Sequence, residues 1–357
     1  MKLIIQPGDS IDRIVKAIRK AQKSVEIMIF RFDRPEIERA LADAAERGIM
    51  IHALIAFTNR GGEDGLRKLE MRFLESGITV ARTAGDLVRY HGKMMIVDRK
   101  EVFLLSFNFT HLDIEHSRSF GVITRNPKVV AEAVRLFEAD TKRQEYTAGY
   151  SKFLVSPVNA RKELTKFIRG AKKELLIYDP KISDRAMLRQ LDERQKAGVE
   201  IRVIGHVSGG RLPVSDLKRM RLHTRTIIRD RAQVFMGSQS LRQLELDARR
   251  EIGMIFRDGS VVKELLRIFE EDWLSSAKDK SESENRTPKK ALKKVARSVV
   301  KRIPLSPVAK KVAKVISKKA DVDVDTKKIH ESVEEIVKDV VEQTAEQAAE
   351  EAAKTVA

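Results

Sequence analysis

The sequence contains no cysteine among its 357 residues, and this absence excludes disulfide bridges, thiolate metal sites and a cysteine nucleophile together. It has one tryptophan and four tyrosines, so few side chains are suited to anchoring at a lipid interface. No apolar run approaches the ~20 residues that a transmembrane helix needs. The opening stretch, MKLIIQPGDS, turns polar too early for a signal peptide. We therefore expect a cytoplasmic protein that works in solution or at the membrane periphery.

Positive charge is the main compositional feature of the chain. Its 70 Lys and Arg residues outnumber 52 Asp and Glu residues and give a net charge of +18. Hydrophobic residues make up 42% and charged residues 34%, which is typical of a soluble globular protein. Such an excess of positive charge predicts an anionic partner, either DNA or RNA or an anionic membrane surface. Solubility alone is the alternative explanation.

The composition changes near Trp273. The stretch SSAKDKSESENRTP after it has the polarity of a solvated linker. Residues 286–319 then carry thirteen Lys and Arg and no acidic residue, whereas residues 321–357 carry eleven acidic and four basic residues. Both segments have apolar residues at helical spacing. They are either solvated or disordered, or they form a basic amphipathic segment that binds nucleic acid or an anionic membrane.

The part of the chain before this tail is an internal repeat. Two pairs of segments match: AIRKAQKSVEIMIF (17–30) with FIRGAKKELLIYDP (167–180), and LADAAERGIMIHALI (41–55) with LDERQKAGVEIRVIG (191–205). In the second pair a helical pattern ends at Gly48 or Gly198 before an apolar strand, which predicts a left-handed helix cap at each glycine.

Helices that alternate with β-branched strands indicate an α/β fold. We expect two similar half-domains, each a mixed sheet flanked by helices, related by a pseudo-twofold axis. The expected organisation is a first half at 1–147, a second half at 148–276, and a charged helical or disordered tail at 277–357.

Both halves carry one motif at equivalent positions. The first copy is YHGKMMIVDRKEVFLLSFNFT (90–110) and the second is LHTRTIIRDRAQVFMGSQS (222–240). Four positions correspond between the copies: His91 with His223, Lys93 with Arg225, Asp98 with Asp230, and Ser106 with Ser238. A single His-x-Lys in a strand would be an ordinary solvent-facing pair. Its recurrence with matched Asp and Ser positions indicates a functional site.

The spacing of the motif suits a phosphodiester. Alternate residues of a strand point to the same side, so His91 and Lys93 project together toward one ligand. One imidazole would attack phosphorus, a second would protonate the leaving oxygen, and the cations would stabilise the developing negative charge. Hydroxyl and amide groups at the far end of the hairpin can bind phosphate oxygens, which predicts this role for Ser106, Asn108 and Ser238. Asp98 and Asp230 lie in the opposite phase to the histidines, so we expect them to anchor the hairpins.

These residues resemble the phospholipase D superfamily, whose signature is H-x-K-x(4)-D followed by G-S-x-N in two copies. The resemblance covers most of residues 1–276. It implies a covalent phosphohistidine intermediate, no metal and no cofactor, and an active site at the junction of two α/β halves. It also implies an anionic phosphodiester substrate, such as a phospholipid headgroup, a cardiolipin-type transphosphatidylation substrate or a nucleic acid.

The sequence departs from the family pattern at several positions. Leu105 stands where the family has Gly, Arg225 where it has Lys, and Ser240 where it has Asn. The family also places a carboxylate some thirty residues after the histidine. Glu251 has this position relative to His223, whereas Ser119 has it relative to His91. On this basis Glu251 would hold His223 as the nucleophile and leave His91 as the acid.

The expected catalytic set is therefore His91, Lys93, His223, Arg225 and Glu251, with His111 and His116 as candidates for the rim of the pocket. Two functions stay open. One is a metal-independent phosphodiesterase or phosphatidyltransferase, and the other is a degenerate relative that binds nucleic acid or anionic membrane without turnover. Basic charge and scarce aromatics favour a nucleic acid substrate, while analogy with two-motif relatives favours a phospholipid.

The charged tail gives a first prediction. If residues 286–319 only recruit the protein to a polyanion, deletion of everything after Ser276 should leave turnover of a small soluble diester unchanged. Activity on long DNA or anionic vesicles should fall, most of all at low salt, where clustered cations attract a polyanion most strongly. Parallel assays on both substrate types over a salt series test this. A loss on the small diester would show that the tail contributes to the site.

Overall fold

A computed structural model describes residues 1–57, 63–209 and 212–283, and beyond them seven single positions: Ser306, Pro307, Lys310, Lys311, Val333, Val337 and Val340. Met1–Asp279 form one compact unit, and Lys280–Ala357 form another. Almost all of the basic segment 286–319 and the acidic segment 321–357 therefore lies outside the described residues. Within the described part of the chain, no helix is both long and apolar enough to cross a membrane.

The strands follow the two repeats. Those before residue 125 are β1 (Lys2–Gln6), β2 (Ser24–Ile29), β3 (Met50–Ile55), β4 (Thr79–Arg82), β5 (Arg89–Tyr90), β6 (Met94–Val97), β7 (Glu101–Leu105) and β8 (Ser117–Thr124). Those after residue 150 are β9 (Phe153–Val155), β10 (Glu174–Ile182), β11 (Glu200–Val207), β12 (Val214–Ser215), β13 (Arg221–Leu222), β14 (Arg225–Arg229), β15 (Gln233–Gly237), β16 (Arg249–Arg250) and β17 (Ile252–Phe256).

The two large sheets share one topology. The first has the strand order β1-β8-β7-β6-β2-β3-β4. The second, read from its corresponding edge, has the order β9-β17-β15-β14-β10-β11-β12. In the first sheet β2, β3 and β4 are parallel and the other neighbours in this order are antiparallel. The second sheet repeats this arrangement, with β10, β11 and β12 as its parallel strands. The predicted α/β class with two similar mixed-sheet halves is confirmed.

Helices cover both faces of each sheet. They are α1 (Asp12–Arg19), α2 (Pro35–Glu46), α3 (Glu63–Glu75), α4 (His111–Glu115), α5 (Pro127–Lys142), α6 (Ala160–Arg169), α7 (Arg185–Lys196), α8 (Gln243–Asp247) and α9 (Gly259–Ser283). The outer cores pack α1–α3 against the first sheet and α6–α8 against the second. The central core joins the inner faces of both sheets through the apolar sides of α5 and α9. This shared core holds the two halves as one unit.

The glycine caps predicted from the repeat are present. Gly48 has φ +81° and Gly198 has φ +86°, so both lie in the left-handed region that favours glycine. Each follows the end of a helix, α2 or α7, and precedes a parallel strand, β3 or β11. The chain thereby turns from helix to strand in the same way in both halves.

The linker predicted just after Trp273 is wrong in its first part. Helix α9 continues through Ser283, because a run of helix-compatible residues extends past the buried Ser276. A truncation that removes the charged tail is therefore better made after Ser283 than after Ser276.

Each half sends one short strand to the other half. Arg89–Tyr90 of β5 pairs in parallel with Arg249–Arg250 of β16. Arg221–Leu222 of β13 pairs in parallel with Ser117–Arg118 of β8. The residue that follows β5 is His91, and the residue that follows β13 is His223. The exchange therefore carries each motif histidine into contact with the opposite half.

Two tight hairpins carry the motifs. In the β6–β7 hairpin Asp98 and Arg99 have φ near +50°, and Asp230 and Arg231 repeat this between β14 and β15. Two successive left-handed residues form the type I′ turn that matches strand twist. The Asp98 carboxylate accepts hydrogen bonds from the backbone of Gln22, Lys23 and Ser24, at 2.7 Å from Lys23. These bonds fix the hairpin to the start of β2.

This anchoring generates a prediction about stability. Burial raises the pKa of Asp98, but backbone hydrogen bonds from Lys23, Ser24 and Gln22 outweigh it, so the pKa lies below its ordinary value. Asp98→Ala should reduce the free energy of unfolding by about 1–2 kcal/mol, as expected for a half-buried, charge-assisted hydrogen-bond acceptor. Because a lowered carboxyl pKa stabilises the fold above the unfolded pKa, the deficit should shrink as the pH falls through the folded pKa of Asp98.

Urea unfolding followed by circular dichroism at pH 7 and pH 3 measures this difference. Asp230→Ala, at the equivalent turn of the second half, is the matched variant and should behave alike. Equal deficits at both pH values would contradict the electrostatic origin of the effect.

Candidate active site

The motif histidines and cations lie together at the junction of the two halves. His91 and Lys93 occupy the short link between β5 and β6. His223 occupies the matching link after β13, and Arg225 is the first residue of β14. The four residues have only 1–8% of their surface exposed. Charges act across the junction, since Lys93 and His91 lower the pKa of His223, and Arg225 lowers the pKa of His91 and Lys93. The structure thus brings both copies of the motif into one buried site.

His91 is held by a carboxylate from the second half. Its Nδ1 donates a hydrogen bond to Glu251 Oε2 at 2.8 Å, and Glu251 is fully buried. The edge of the ring packs against Phe30, with centroids 4.5 Å apart. The bond fixes the Nδ1–H tautomer and leaves Nε2 with a free electron pair. The predicted pairing of Glu251 with His223 is therefore wrong.

The strand exchange explains this pairing. The backbone N–H of His91 donates to Arg250 O at 2.8 Å, which places Glu251, the next residue, beside the His91 ring. Gly92 packs tightly at this point, because a Cβ there would lie 2.5 Å from Ile252 Cδ1. By the same exchange His223 N donates to Arg118 O at 3.0 Å, so Ser119 lies beside His223.

His223 is held less firmly than His91. Its Nδ1 lies 3.3 Å from Asp113 Oδ2, but the alignment does not make a hydrogen bond. The same carboxylate oxygen accepts bonds from the backbone and side-chain nitrogens of Asn108 at 2.7 and 2.6 Å. Asp113 also pairs with Arg221. The two histidines are therefore inequivalent in the structure.

The two cations brace the backbone of their own histidines. Lys93 Nζ donates to His91 O at 2.7 Å, and Arg225 Nη1 donates to His223 O at 2.7 Å. Arg225 Nε donates further to Ser240 Oγ at 3.1 Å. In the second half the longer Arg225 is thus combined with the smaller Ser240. In the first half the equivalent positions hold Lys93 and Asn108. Either cation retains N–H groups that can meet a phosphate.

The hydroxyl groups of the motif serines form hydrogen bonds with backbone groups of the neighbouring strands. Ser106 Oγ donates to Phe120 O at 2.7 Å and accepts from Phe120 N at 2.9 Å. Ser238 Oγ accepts from Ile252 N at 3.1 Å and makes a long contact of 3.4 Å with Ile252 O. Both hydroxyls therefore contact backbone groups, and a hydrogen bond from Ser238 also opposes the rise that burial causes in the pKa of Glu251, while the binding of phosphate by Ser106 and Ser238 stays a prediction. The Asn108 amide keeps one N–H beyond its bond to Asp113, so its expected phosphate contact stays a prediction.

Burial and like charges tune the site. The pKa of His91 lies well below its ordinary value because of burial, then of Lys93 and Arg225. The pKa of His223 is lowered in the same direction by burial and by Arg225. Burial also lowers the pKa of Lys93 to about 7, against the opposing charge of Glu251. Both rings are therefore neutral at pH 7 in the free protein, while Lys93 is close to its midpoint.

Sequence reasoning missed the carboxylates Asp113 and Glu245. They lie 22 residues after His91 and His223 respectively. Glu245 Oε2 accepts from Ser240 N at 2.7 Å, as Asp113 Oδ2 accepts from Asn108 N. Their equal spacing in the two repeats is a signal that comparison of the halves could have found.

One cluster of possible metal ligands lies outside this site. Among the described residues, His111, Glu115 and His116 bring ligand atoms within 4.8 Å of one another. All three are exposed on or just after α4, and Glu115 also pairs with Arg34. The buried histidine pair contributes no atom to this cluster.

The family comparison covers both halves of the chain. The family of cardiolipin synthase, phospholipase D-like domains matches residues 14–141 and 164–273. A mitochondrial cardiolipin hydrolase of Danio rerio is 28% identical over 138 residues, which cover 36% of this chain and 58% of that protein. The chain thus spans somewhat over half the length of that relative.

Two solved structures share the fold. A polyphosphate kinase from Porphyromonas gingivalis has a TM-score of 0.64 at 22% identity, covering 75% of this chain and 46% of that one. A phosphatidylserine synthase from Haemophilus influenzae has a TM-score of 0.55 at 11% identity, covering 73% of this chain and 82% of that one. At these identities the likeness concerns the architecture of two joined halves.

The titration of Lys93 gives a prediction about anion binding. With a pKa of about 7 in the free protein, Lys93 loses its charge as the pH rises from 6 to 8.5. Loss of one buried cation should weaken sulfate binding on the order of tenfold. In Lys93→Arg the guanidinium stays charged, so the affinity should depend much less on pH.

Isothermal titration calorimetry with sulfate, whose own charge is constant in this range, makes the comparison. Lys100→Arg, on the exposed hairpin turn, is the control and should follow the wild type. The same pH dependence in the wild type and in Lys93→Arg would contradict the assignment.

Proposed function

This chain belongs to the family of cardiolipin synthase, phospholipase D-like domains, and from that premise we propose that it hydrolyses or transfers a phosphodiester through a phosphohistidine on His91. The observation that carries the proposal is the 2.8 Å bond from His91 Nδ1 to the buried Glu251. A carboxylate behind an imidazole stabilises the positive charge that the ring acquires on attack. By this argument His91, rather than His223, is the nucleophile.

In the first step the electron pair of His91 Nε2 attacks phosphorus. The bond from phosphorus to the leaving oxygen breaks, and its electron pair stays on that oxygen. His223 in its protonated form donates a proton to the same oxygen. The low pKa of His223 in the free site favours this donation, and the charge of a bound phosphodiester raises that pKa far enough to load the proton.

In the second step His223 acts as a base. Water, or an alcohol in a transfer reaction, attacks phosphorus and gives its proton to the neutral His223. The phosphorus–nitrogen bond breaks and its electron pair returns to His91. Lys93 and Arg225 lie beside both rings and stabilise the charge on the non-bridging oxygens, with the free N–H of Asn108 as a further donor.

For the substrate we propose the phosphodiester of an anionic glycerophospholipid. The supporting facts are the cardiolipin named in the family and in the Danio rerio relative, and the phosphatidylserine synthase among the structures of similar fold. The net charge of +18 suits an anionic lipid surface. It suits nucleic acid equally, so DNA is the competing substrate in an assay. Inorganic polyphosphate is a third substrate for this assay, because a polyphosphate kinase has a similar fold.

A second function, binding without turnover, is favoured by one observation. His223 Nδ1 makes no hydrogen bond within the described part of the chain, and Ser119 stands where the other half has Glu251. Such a protein would bind the same anions but form no covalent intermediate.

A labelling experiment separates these possibilities. With a ³²P-labelled bis(p-nitrophenyl) phosphate, the wild type should form an acid-labile, base-stable phosphoenzyme, and His91→Ala should form none. In His223→Ala the intermediate should accumulate, because p-nitrophenolate leaves without a proton while water lacks its base, and steady turnover should fall about 10²–10⁴-fold. His52→Ala, at a histidine outside the site, is the control.

Substrate class is assayed side by side on cardiolipin-containing vesicles, single- and double-stranded DNA and polyphosphate. Phosphoenzyme in His91→Ala, or unchanged turnover in both active-site histidine variants, would refute the two-histidine mechanism. Anion binding with no phosphoenzyme in the wild type would establish the non-catalytic alternative.

A further inference from the structure

Gln6 is a buried amide that lacks a partner. It is the last residue of β1 and only 1% exposed, yet neither Oε1 nor Nε2 has a hydrogen-bond partner among the described residues. Native proteins satisfy nearly all buried polar groups, so a glutamine in this state indicates a contact that forms in the working protein.

The pseudo-twofold relation shows where this amide belongs. In the first half Gln6 faces Ser119 across the β1–β8 pair. In the second half Ser156 occupies the position of Gln6 and faces Glu251, with Ser156 N donating to Glu251 O at 3.0 Å. Each half therefore has one long polar side chain and one serine at these facing positions. The long side chain comes from opposite strands in the two halves.

The long side chain in the second half is the one that holds a histidine. Glu251 reaches His91, and the residue before it receives the His91 backbone N–H. His223 makes the same backbone bond to Arg118, so Ser119 has the position relative to His223 that Glu251 has relative to His91. Facing residues of an antiparallel pair have Cβ atoms about 5 Å apart. A glutamine on β1 therefore reaches the space that the shorter Ser119 leaves.

Three side chains at these positions have buried polar atoms without hydrogen-bond partners. His223 Nδ1 and Ser119 Oγ are buried without hydrogen-bond partners among the described residues, as the Gln6 amide is. Asp113 approaches His223 Nδ1 to 3.3 Å but is occupied by Asn108 and Arg221. The second imidazole therefore needs an acceptor that Asp113 does not supply.

We propose that Gln6 is the positioning residue of His223. Its Oε1 accepts the hydrogen of His223 Nδ1, in the place that the Glu251 carboxylate holds beside His91. The consequence for catalysis rests on the proposed two-histidine function, whereas the contact itself does not. A neutral amide orients the ring without adding negative charge, so protonated His223 stays a strong proton donor while His91 gains the support of a carboxylate.

The charged and titratable groups that face His223 come from both halves. They are Asp113 of α4, Arg221 of β13, Arg225 of β14, and Lys93 and His91 between β5 and β6. A new charge at position 6 would act in addition to these groups. The difference between variants at this one position therefore isolates its contribution.

A nitrogen NMR titration of the full chain tests the contact without requiring turnover. Histidine is labelled with ¹⁵N, and the His223 signals are identified by their loss in His223→Asn. Gln6→Glu should raise the pKa of His223 by about 1–3 units, because an opposite charge now faces Nδ1. Gln6→Met, similar in volume but without an acceptor, should reduce the population of the Nδ1–H tautomer. Ser156→Ala, at the equivalent position of the other half, should leave the pKa and tautomer of His223 unchanged.

An unchanged pKa of His223 in a folded Gln6→Glu protein would overturn the proposal. If that variant does not fold, the tautomer in Gln6→Met decides, and an unchanged Nδ1–H population overturns it. If the protein turns over no diester but the His223 pKa and tautomer change as expected in the Gln6 variants, the proposed function is refuted and the contact between Gln6 and His223 is supported. Where turnover is present, the alkaline limb of the pH–rate profile should move to higher pH in Gln6→Glu, because the pKa of His223 is raised. A merely structural role would lower the rate at every pH alike.

Discussion

The site depends on the exchange of two short strands between the halves. Arg89–Tyr90 pairs with Arg249–Arg250, and Arg221–Leu222 pairs with Ser117–Arg118. These pairings are only two residues long, but each ends at a motif histidine and a site residue of the opposite half. Without them neither half has a complete site, because the carboxylate that orients His91 belongs to the second repeat. The shared core around α5 and α9 keeps the exchange in register.

Duplication supplied two similar halves, and paired substitutions have since made them different. Leu105 faces Gly121, whereas Gly237 faces Gly253, where an added Cβ would lie 2.6 Å from the backbone of its neighbour. Two other exchanges are compensated, since a larger residue in one place accompanies a smaller one opposite: Lys93 and Asn108 against Arg225 and Ser240, and Gln6 and Ser119 against Ser156 and Glu251. Close packing requires such compensation. The departures from the family motif at Arg225 and Ser240 are therefore coupled.

These changes give the two imidazoles different surroundings in one positive site. Burial and the neighbouring cations keep both rings neutral in the free protein, which suits a nucleophile. Of these two rings, only His91 has a firmly bonded carboxylate behind it, which in the proposed mechanism stabilises its charged form after attack. In the same proposal an anionic substrate brings the charge that the second ring needs in order to hold a proton. Binding and proton loading are coupled in this way.

The sequence by itself determined the features that depend on local pattern. Apolar periodicity and the glycines at 48 and 198 predicted the α/β repeat, and the duplicated spacing of His91 and His223 predicted a joint site. Tertiary structure alone decided which carboxylate serves which histidine. Position along the chain assigned Glu251 to His223, but the parallel pairing of β5 with β16 places it on His91. Spacing within one repeat contains no information about contacts that cross between repeats, because those depend on how two sheets dock.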